Sequence, residues 1–399
     1  MLGLLKKEWK SLGLVLTISF VLGVPIAHGA EVVKIGVAGP MSGEAAKLGY
    51  DMRTGVEMAI AEWNSSGGVL GRKIELLIGD DQLDPRQASK VAKKMVKEGV
   101  WGVIGHLNSS SSISASSIYH EAGIPQITPS STDPRFTEQG YNNVFRTCGR
   151  DDQQAAVAAD FVLDHLKARR VAVIHDKTFY GRGLAEAFKR AVSKKGKGHI
   201  VAFEGIIQGS QDYTPVLKGV RTTRPQVIYF AGIYPEGGLI LKQARELGIM
   251  ATFVSGDGVI DPEFVKIAGE EVVPGSYFTF SPDPTLVPSA TPFIEKYKKK
   301  YGGLGPYSIN SYDAANILIH AIEKAKPRKA TKEELTKVSR AIRTMSHKGV
   351  MGILRWDRKG DLVNSPYVIY VTKRGGRFQG WFEQITGLPR GYRYKPPGS

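Results

Sequence analysis

The sequence predicts an α/β protein built as two doubly wound lobes, each around a parallel sheet. Three observations carry this expectation. Short apolar runs alternate with segments of helical periodicity. That rhythm restarts after Arg150 with a second unit of similar size. Several apolar runs end in turns rich in glycine and small hydroxyl residues, as strands do where ligands settle in such sheets. A chain of 399 residues also exceeds the usual size of one domain.

The first unit opens with a strand over 32–38, which ends in the turn Gly39-Pro40-Met41-Ser42-Gly43. Residues 55–63 have helical spacing, and Asn64-Ser65-Ser66-Gly67-Gly68 stops that helix. A strand over 74–78, a helix with a basic outer face over 85–98 and a strand over 100–105 follow. The last of these runs into Asn108 and the serines Ser109 to Ser112. A helix over 114–121 leads to an extended segment at 123–127, and then to Thr128-Pro129-Ser130-Ser131-Thr132. Strands alternating with helices at this spacing imply a parallel sheet.

The second unit is predicted as a helix over 153–166, a strand over 170–175 and a turn over 177–183. Next come a helix over 184–193, a strand over 200–207 and a helix over 213–221. A strand over 227–231, a helix over 237–247 and a strand over 252–255 complete the rhythm. Helices over 290–301 and 312–324 and a strand pair over 366–371 and 376–382 form a returning C-terminal segment. No short-period repeat suggests a solenoid or propeller.

The first thirty residues read as a secretory signal peptide. Lys6, Lys7 and Lys10 precede the uncharged run Leu12 to Val24, and Ala27-His28-Gly29-Ala30 supplies small residues for cleavage. The apolar run is short of the roughly 20 residues a spanning helix needs. A soluble, exported mature protein is therefore expected. The whole chain carries 54 Lys+Arg against 38 Asp+Glu, a net +16. Such a surplus fits nucleic acid, an anionic membrane or a plain solvated surface alike. The lone Cys148 excludes an internal disulfide and a cysteine metal cluster.

Catalytic motifs are mostly missing. There is no GxxxxGK[ST] loop, no GxGxxG after the first strand, no GxSxG elbow and no HExxH. The eight histidines are scattered, with His106 and His175 at strand ends, where they more commonly satisfy local backbone. Asp80-Asp81 reads as a pair of solvated or loop-capping carboxylates rather than an acid pair. Basic residues spread along helix faces without a recognition motif, and the Arg390–Lys395 tail reads as an exposed basic terminus. No enzyme, no cofactor and no metal are expected.

What remains is a binding site at strand ends. Asn108 and Ser109 to Ser112 stand just before a helix, and Ser130, Ser131 and Thr132 sit at the neighbouring strand end. Hydroxyls and free backbone N–H groups at a helix start suit a carboxylate. Either cluster alone reads as an ordinary helix cap; two on adjacent strand ends point to a pocket for a small anion.

At these residues the chain closely resembles the periplasmic leucine/isoleucine/valine-binding proteins of ABC transporters, which have the type I periplasmic-binding fold. The matching segments are GPMSGEAAKLG (39–49), NSSGGVLGRKIEL (64–76), DDQLDPRQA (80–88), VIGHLNSSSS (103–112), ITPSSTDP (127–134) and FRTCGRDDQQ (145–154). VIHDKTFYGRGLA (173–185), YFAGIYPEGG (229–238), SGDGV (255–259), AGE (268–270) and VMGILRWDRKGDL (350–362) continue the match in order. The resemblance implies two lobes joined by three crossings, which close on a ligand between them. Lobe 1 is expected over 31–150 and 281–355, and lobe 2 over 151–280 and 356–399.

By the same resemblance, Ser109 binds the ligand carboxylate, Thr132 touches carboxylate and ammonium, and Ser130 offers its carbonyl to the ammonium. Asn108 and Ser131 flank these positions. Tyr180 and Tyr307 line the cleft, and Asp257 pairs with the ammonium where well-known members use glutamate. Leu48 and Ile233 stand where the family often has cleft aromatics. Leu83 and Asn108 occupy the two positions of a disulfide known in the family, and both cysteines are replaced here. The implied protein is a monomeric periplasmic receptor that delivers an amino acid, aliphatic by family analogy, to an inner-membrane ABC permease, with no nucleic-acid partner. A receptor for another small carboxylate, such as an aromatic acid, and a ligand sensor of a signalling system remain open.

Overall fold

A computed structural model describes residues 32–386. The candidate signal peptide and the Arg390–Lys395 tail lie outside the described residues. The first lobe is built on five parallel strands: β1 (Val33–Gly39), β2 (Ile74–Asp80), β3 (Val103–Gly105), β4 (Gln126–Thr128) and β5 (Val144–Arg146). Their order is β2-β1-β3-β4-β5. Val33, Ile35 and Val37 of β1 are all fully buried. Helices cover both faces, so a central strand reads as an apolar run rather than as an alternation.

The second lobe carries β6 (Arg170–His175), β7 (His199–Gly205), β8 (Val227–Ala231), β9 (Thr252–Ser255) and β10 (Tyr277–Phe280). After a small hairpin of β11 (His347–Gly349) and β12 (Gly352–Leu354), the chain returns to this sheet as β13 (Val368–Gly376) and β14 (Gly380–Gln384). The order is β14-β13-β10-β9-β8-β6-β7, with the two returning strands antiparallel. The expected α/β architecture of two parallel-sheet lobes is the one observed.

Strands β6, β8 and β9 have the predicted bounds, whereas several helix starts differ. The first helix spans Ala46–Ser65 and begins nine residues before the predicted one. Leu48 and Met52 in its first turns are buried, but the neighbouring Lys47, Gly49 and Asp51 hide the apolar period. Serines 109–112 are not a loop before a helix; they form the first turn of helix Ser109–Ala122. Serine is a poor guide there because it favours caps over helix interiors. Helix Phe179–Lys195 starts five residues early, capped by Thr178, whose hydroxyl accepts from the Gly181 N–H at 3.0 Å. Only glycine fits at 181, since a Cβ would lie 2.1 Å from an Asp176 carboxylate oxygen. The predicted helix over 153–166 is an α-helix over Asp151–Asp160, continued by a wider π-type turn over Phe161–His165. Strands β5 and β10 and the β11–β12 hairpin are too short to carry a periodic signal. Helix Lys332–Thr344 goes unpredicted although Leu335, Val338 and Ile342 recur at helical spacing.

Three segments join the lobes: 147–150 after β5, 281–284 after β10, and 363–367 before β13. Between the second and third, helix Ser308–Ala325 packs on helix Ala46–Ser65 of the first lobe, with Trp63 donating to Asn316 at 2.9 Å. Residues 356–362, which the sequence assigns to lobe 2, remain against β5. Arg146 N–H donates to the Gly360 carbonyl, and the Trp356 indole donates to the Arg146 carbonyl at 2.9 Å. Fully buried Arg146 pairs with Asp361 at 2.6 Å, and Arg150 reaches the other Asp361 oxygen at 2.6 Å. Thr147 and Asn310 exchange two side-chain-to-backbone bonds at 2.9 and 2.8 Å. The crossings are thus anchored on the first lobe by a buried ionic and hydrogen-bonded knot.

Candidate functional site

The C-terminal ends of the strands in both lobes face one cleft. In the first lobe, β3 runs into Asn108, which caps the next helix by accepting from Ser111 N–H at 2.8 Å. The other end of that side chain donates to the Leu83 carbonyl at 3.3 Å. Asn108 therefore ties together the two positions that resemble a disulfide pair. Ser109 is 1% exposed, and its hydroxyl accepts from the Asp133 N–H at 3.2 Å. At the end of β4, the Ser130 and Ser131 hydroxyls donate to the Leu107 carbonyl at 2.6 and 3.0 Å. Ser131 also shares a 2.6 Å bond with Ser112. These hydroxyls lock the two strand ends together, whereas the buried Thr132 hydroxyl is not used in this way and lies beside the Asp151 carboxylate.

The second lobe supplies Asp257, which follows β9 in a short turn and is 4% exposed. One oxygen accepts from Gln154 at 2.9 Å and from the Tyr180 hydroxyl at 2.8 Å. The other accepts from Tyr307 at 3.2 Å. Tyr180 in turn accepts from the Gly258 N–H at 3.1 Å. Burial raises the Asp257 carboxyl above the usual carboxylate range, while the three donors pull it back. An acceptor with one crowded and one lightly used oxygen is suited to a further donor. Ser109, Thr132, Tyr180, Asp257 and Tyr307 are thus brought to one place.

Leu48 and Ile233 are placed differently. Leu48 is 1% exposed and packs in the first lobe's core. Ile233 precedes helix Tyr234–Glu246 and lines a cavity at the outer end of the cleft.

The cleft is closed over these residues. The Ser110 hydroxyl accepts from Phe179 N–H at 3.0 Å, and Tyr234 donates to the Glu44 carbonyl at 2.6 Å. Both bonds run from one lobe to the other.

Sequence reasoning missed Asp151. It opens helix Asp151–Asp160 directly after the first crossing and is fully buried, and among the described residues only the Thr132 hydroxyl stands beside its carboxylate as a donor. Its N–H donates to the Thr132 carbonyl at 2.9 Å. Burial, with the charges of Asp133 and Asp257 nearby, holds its carboxyl well above the ordinary range. The Tyr229 hydroxyl, raised by burial and by the two carboxylates Asp151 and Asp257, is unpartnered among the described residues. Buried polar groups are nearly always fully satisfied, so an under-satisfied carboxylate and an unpartnered tyrosine hydroxyl near Asp257 mark a place built for something polar. The only sequence signal was the Asp151-Asp152-Gln153-Gln154 run, which reads equally well as an acidic helix start.

A two-lobed α/β protein closed over a polar site between the strand ends, with the hinge behind it, is a solute-binding protein. The chain belongs to the periplasmic binding protein family, which it matches over residues 32–377. It is 40% identical to an amino acid binding protein of Pseudomonas aeruginosa, over 94% of this chain and 98% of that protein. A Leu/Ile/Val-binding protein homolog 1 of Brucella suis is 39% identical over 89% of this chain and 95% of its own. A crystal structure of a leucine binding protein from Thermotoga maritima superposes with a TM-score of 0.81 at 33% identity, covering 90% of this chain and 99% of that one. The protein is a type I periplasmic binding protein, homologous to the Leu/Ile/Val-binding proteins, and the binding component of an ABC transport system for a small organic ligand.

Proposed function

We propose that the protein is an exported periplasmic receptor that captures a small α-amino acid, aliphatic in side chain, and delivers it to an inner-membrane ABC permease. The observation that carries this reading is the buried Asp257 carboxylate, held by Tyr180 and Tyr307 in the same cleft as Ser109 and Thr132. The hydroxyl-rich strand ends take the ligand carboxylate, and Asp257 takes the ammonium. A zwitterion in a closed cleft needs both charges matched. The relatives named as amino acid and Leu/Ile/Val-binding proteins support the ligand class. Export rests on the basic and apolar N-terminal segment.

A thermal-shift screen of the purified protein against the common amino acids and simple aromatic acids tests this reading, because a bound ligand raises apparent stability by mass action. Stabilisation by leucine, isoleucine, valine or alanine is expected. Stabilisation by aromatic acids alone would overturn it.

A further inference from the structure

At the outer end of the cleft, far from the hinge, lies a second cavity of about 620 Å³. It forms where the C-terminal ends of β1 and β2 in one lobe face those of β7 and β8 in the other. β2 and β7 are the outer strands of their sheets, on the side away from β5 and the first crossing. Glu44 and Asp84 line it from the first lobe and Glu236 from the second, and no lysine, arginine or histidine is among its lining residues. In a chain with a net charge of +16, an acidic pocket free of cations goes against the general charge of the molecule.

Glu236 is the telling residue. It sits in the first turn of helix Tyr234–Glu246 and is 2% exposed. The carboxylate takes the Gly209 N–H at 2.9 Å and its own backbone N–H, and its second oxygen has no partner from another of the described residues. Burial pushes its carboxyl up to about 7, with Asp176 and Glu44 adding to the rise. A buried carboxylate oxygen without a donor costs free energy that a cation could recover. The described residues hold no group of three or more side chains suited to a metal ion, which favours an organic cation with several N–H donors.

We propose that this cavity binds a small organic cation, an alkylammonium or guanidinium group, anchored by Glu236 and shared with Glu44 and Asp84 across the cleft. Because its walls come from both lobes, such a cation favours the closed form. By linkage it then strengthens binding in the main site, and the main ligand strengthens binding of the cation. Two sources present this chemistry. One is the side chain of a basic amino acid seated in the main site and extending past Ile233, whose side chain lines the cavity; this arm rests on the amino-acid reading. The other is a separate amine, which needs nothing from that reading.

Calorimetric titration of the purified protein with putrescine and agmatine, with and without saturating leucine, and with lysine and arginine, tests the proposal. Binding of at least one of the four is expected, weakened about tenfold or more in Glu236→Gln, which keeps the acceptor for Gly209. Glu44→Gln, an exposed position that retains an acceptor for Gln211, should weaken it in the same direction. Binding of the amines alongside leucine identifies a separate cation. Binding of lysine or arginine alone, in competition with leucine, identifies the ligand's own side chain. If none of the four binds, or if both variants bind as the unmodified protein does, the proposal is overturned, while leucine binding would leave the receptor reading standing.

Discussion

The Tyr307 hydroxyl of the first lobe donates to the Asp257 carboxylate of the second at 3.2 Å. The residue proposed to hold the ligand ammonium is thereby also a contact between the lobes. Ligand recognition and lobe closure meet on one carboxylate, and that coupling is open to experiment.

Asp257→Asn should remove the counter-charge for a buried ammonium. Leaving one member of a buried pair unmatched costs about 3–5 kcal/mol, so binding of the amino acid should nearly vanish. The deaminated analogue should bind poorly to both forms. Calorimetry with leucine and its deaminated analogue checks this, and an analogue that binds the unmodified protein as well as leucine does would exclude ammonium recognition.

Ser109→Ala should weaken the ligand by about 1.5–3 kcal/mol, the range for a hydrogen bond to a charged group. Thr132→Val should act in the same direction, because its hydroxyl is buried beside the site. Affinities that match the unmodified protein in both variants would remove the carboxylate assignment.

Ligand binding to the closed form should release protons. With the cleft closed and empty, burial raises the Asp257 and Asp151 carboxyls, so in that form both hold protons to higher pH than exposed aspartates do. An arriving ammonium favours the charged forms and lowers both values, so protons leave and affinity climbs as pH rises above the ordinary carboxylate range. Calorimetry in buffers of different ionisation enthalpy measures the release; heats independent of buffer would contradict it.

Asp361→Asn should destabilise the fold without touching the ligand. It leaves Arg146, which is fully buried, without its full charge partner, and breaking such a pair costs about 3–5 kcal/mol. Although burial alone would raise it, Arg146 and Arg150 hold the Asp361 carboxyl below its ordinary value. Its contribution is therefore fully present above the unfolded carboxylate pKa and lost as pH falls through the depressed folded value. Denaturant unfolding between acid and neutral pH should show a gap between variant and parent that narrows in acid. A gap of constant size would argue against the ion pair.

Bonds that cross the cleft, such as Ser110 to Phe179 and Tyr234 to Glu44, exist only when the lobes meet. Small-angle scattering should report a smaller radius of gyration on adding ligand to an open ligand-free form. An unchanged radius from such a form would count against hinge closure.

Much of this was legible in the chain itself. Apolar runs at strand spacing and the restart after Arg150 specify two α/β units, because burial on both faces of a parallel sheet imposes that pattern locally. The serine clusters and Asp257 were visible because chemistry and family resemblance both point to them. Other features exist only in three dimensions. Asp151 looks like any acidic helix start until folding buries it beside Thr132. The Arg146–Asp361 pair joins residues 215 positions apart. Glu236 is one glutamate in a helix until two strand ends from the other lobe enclose it. Periodicity and turn chemistry are local properties, so the sequence determined the elements and their class. Burial, charge pairing and the cleft arise from long-range packing, and only the tertiary structure decided which carboxylates face a ligand.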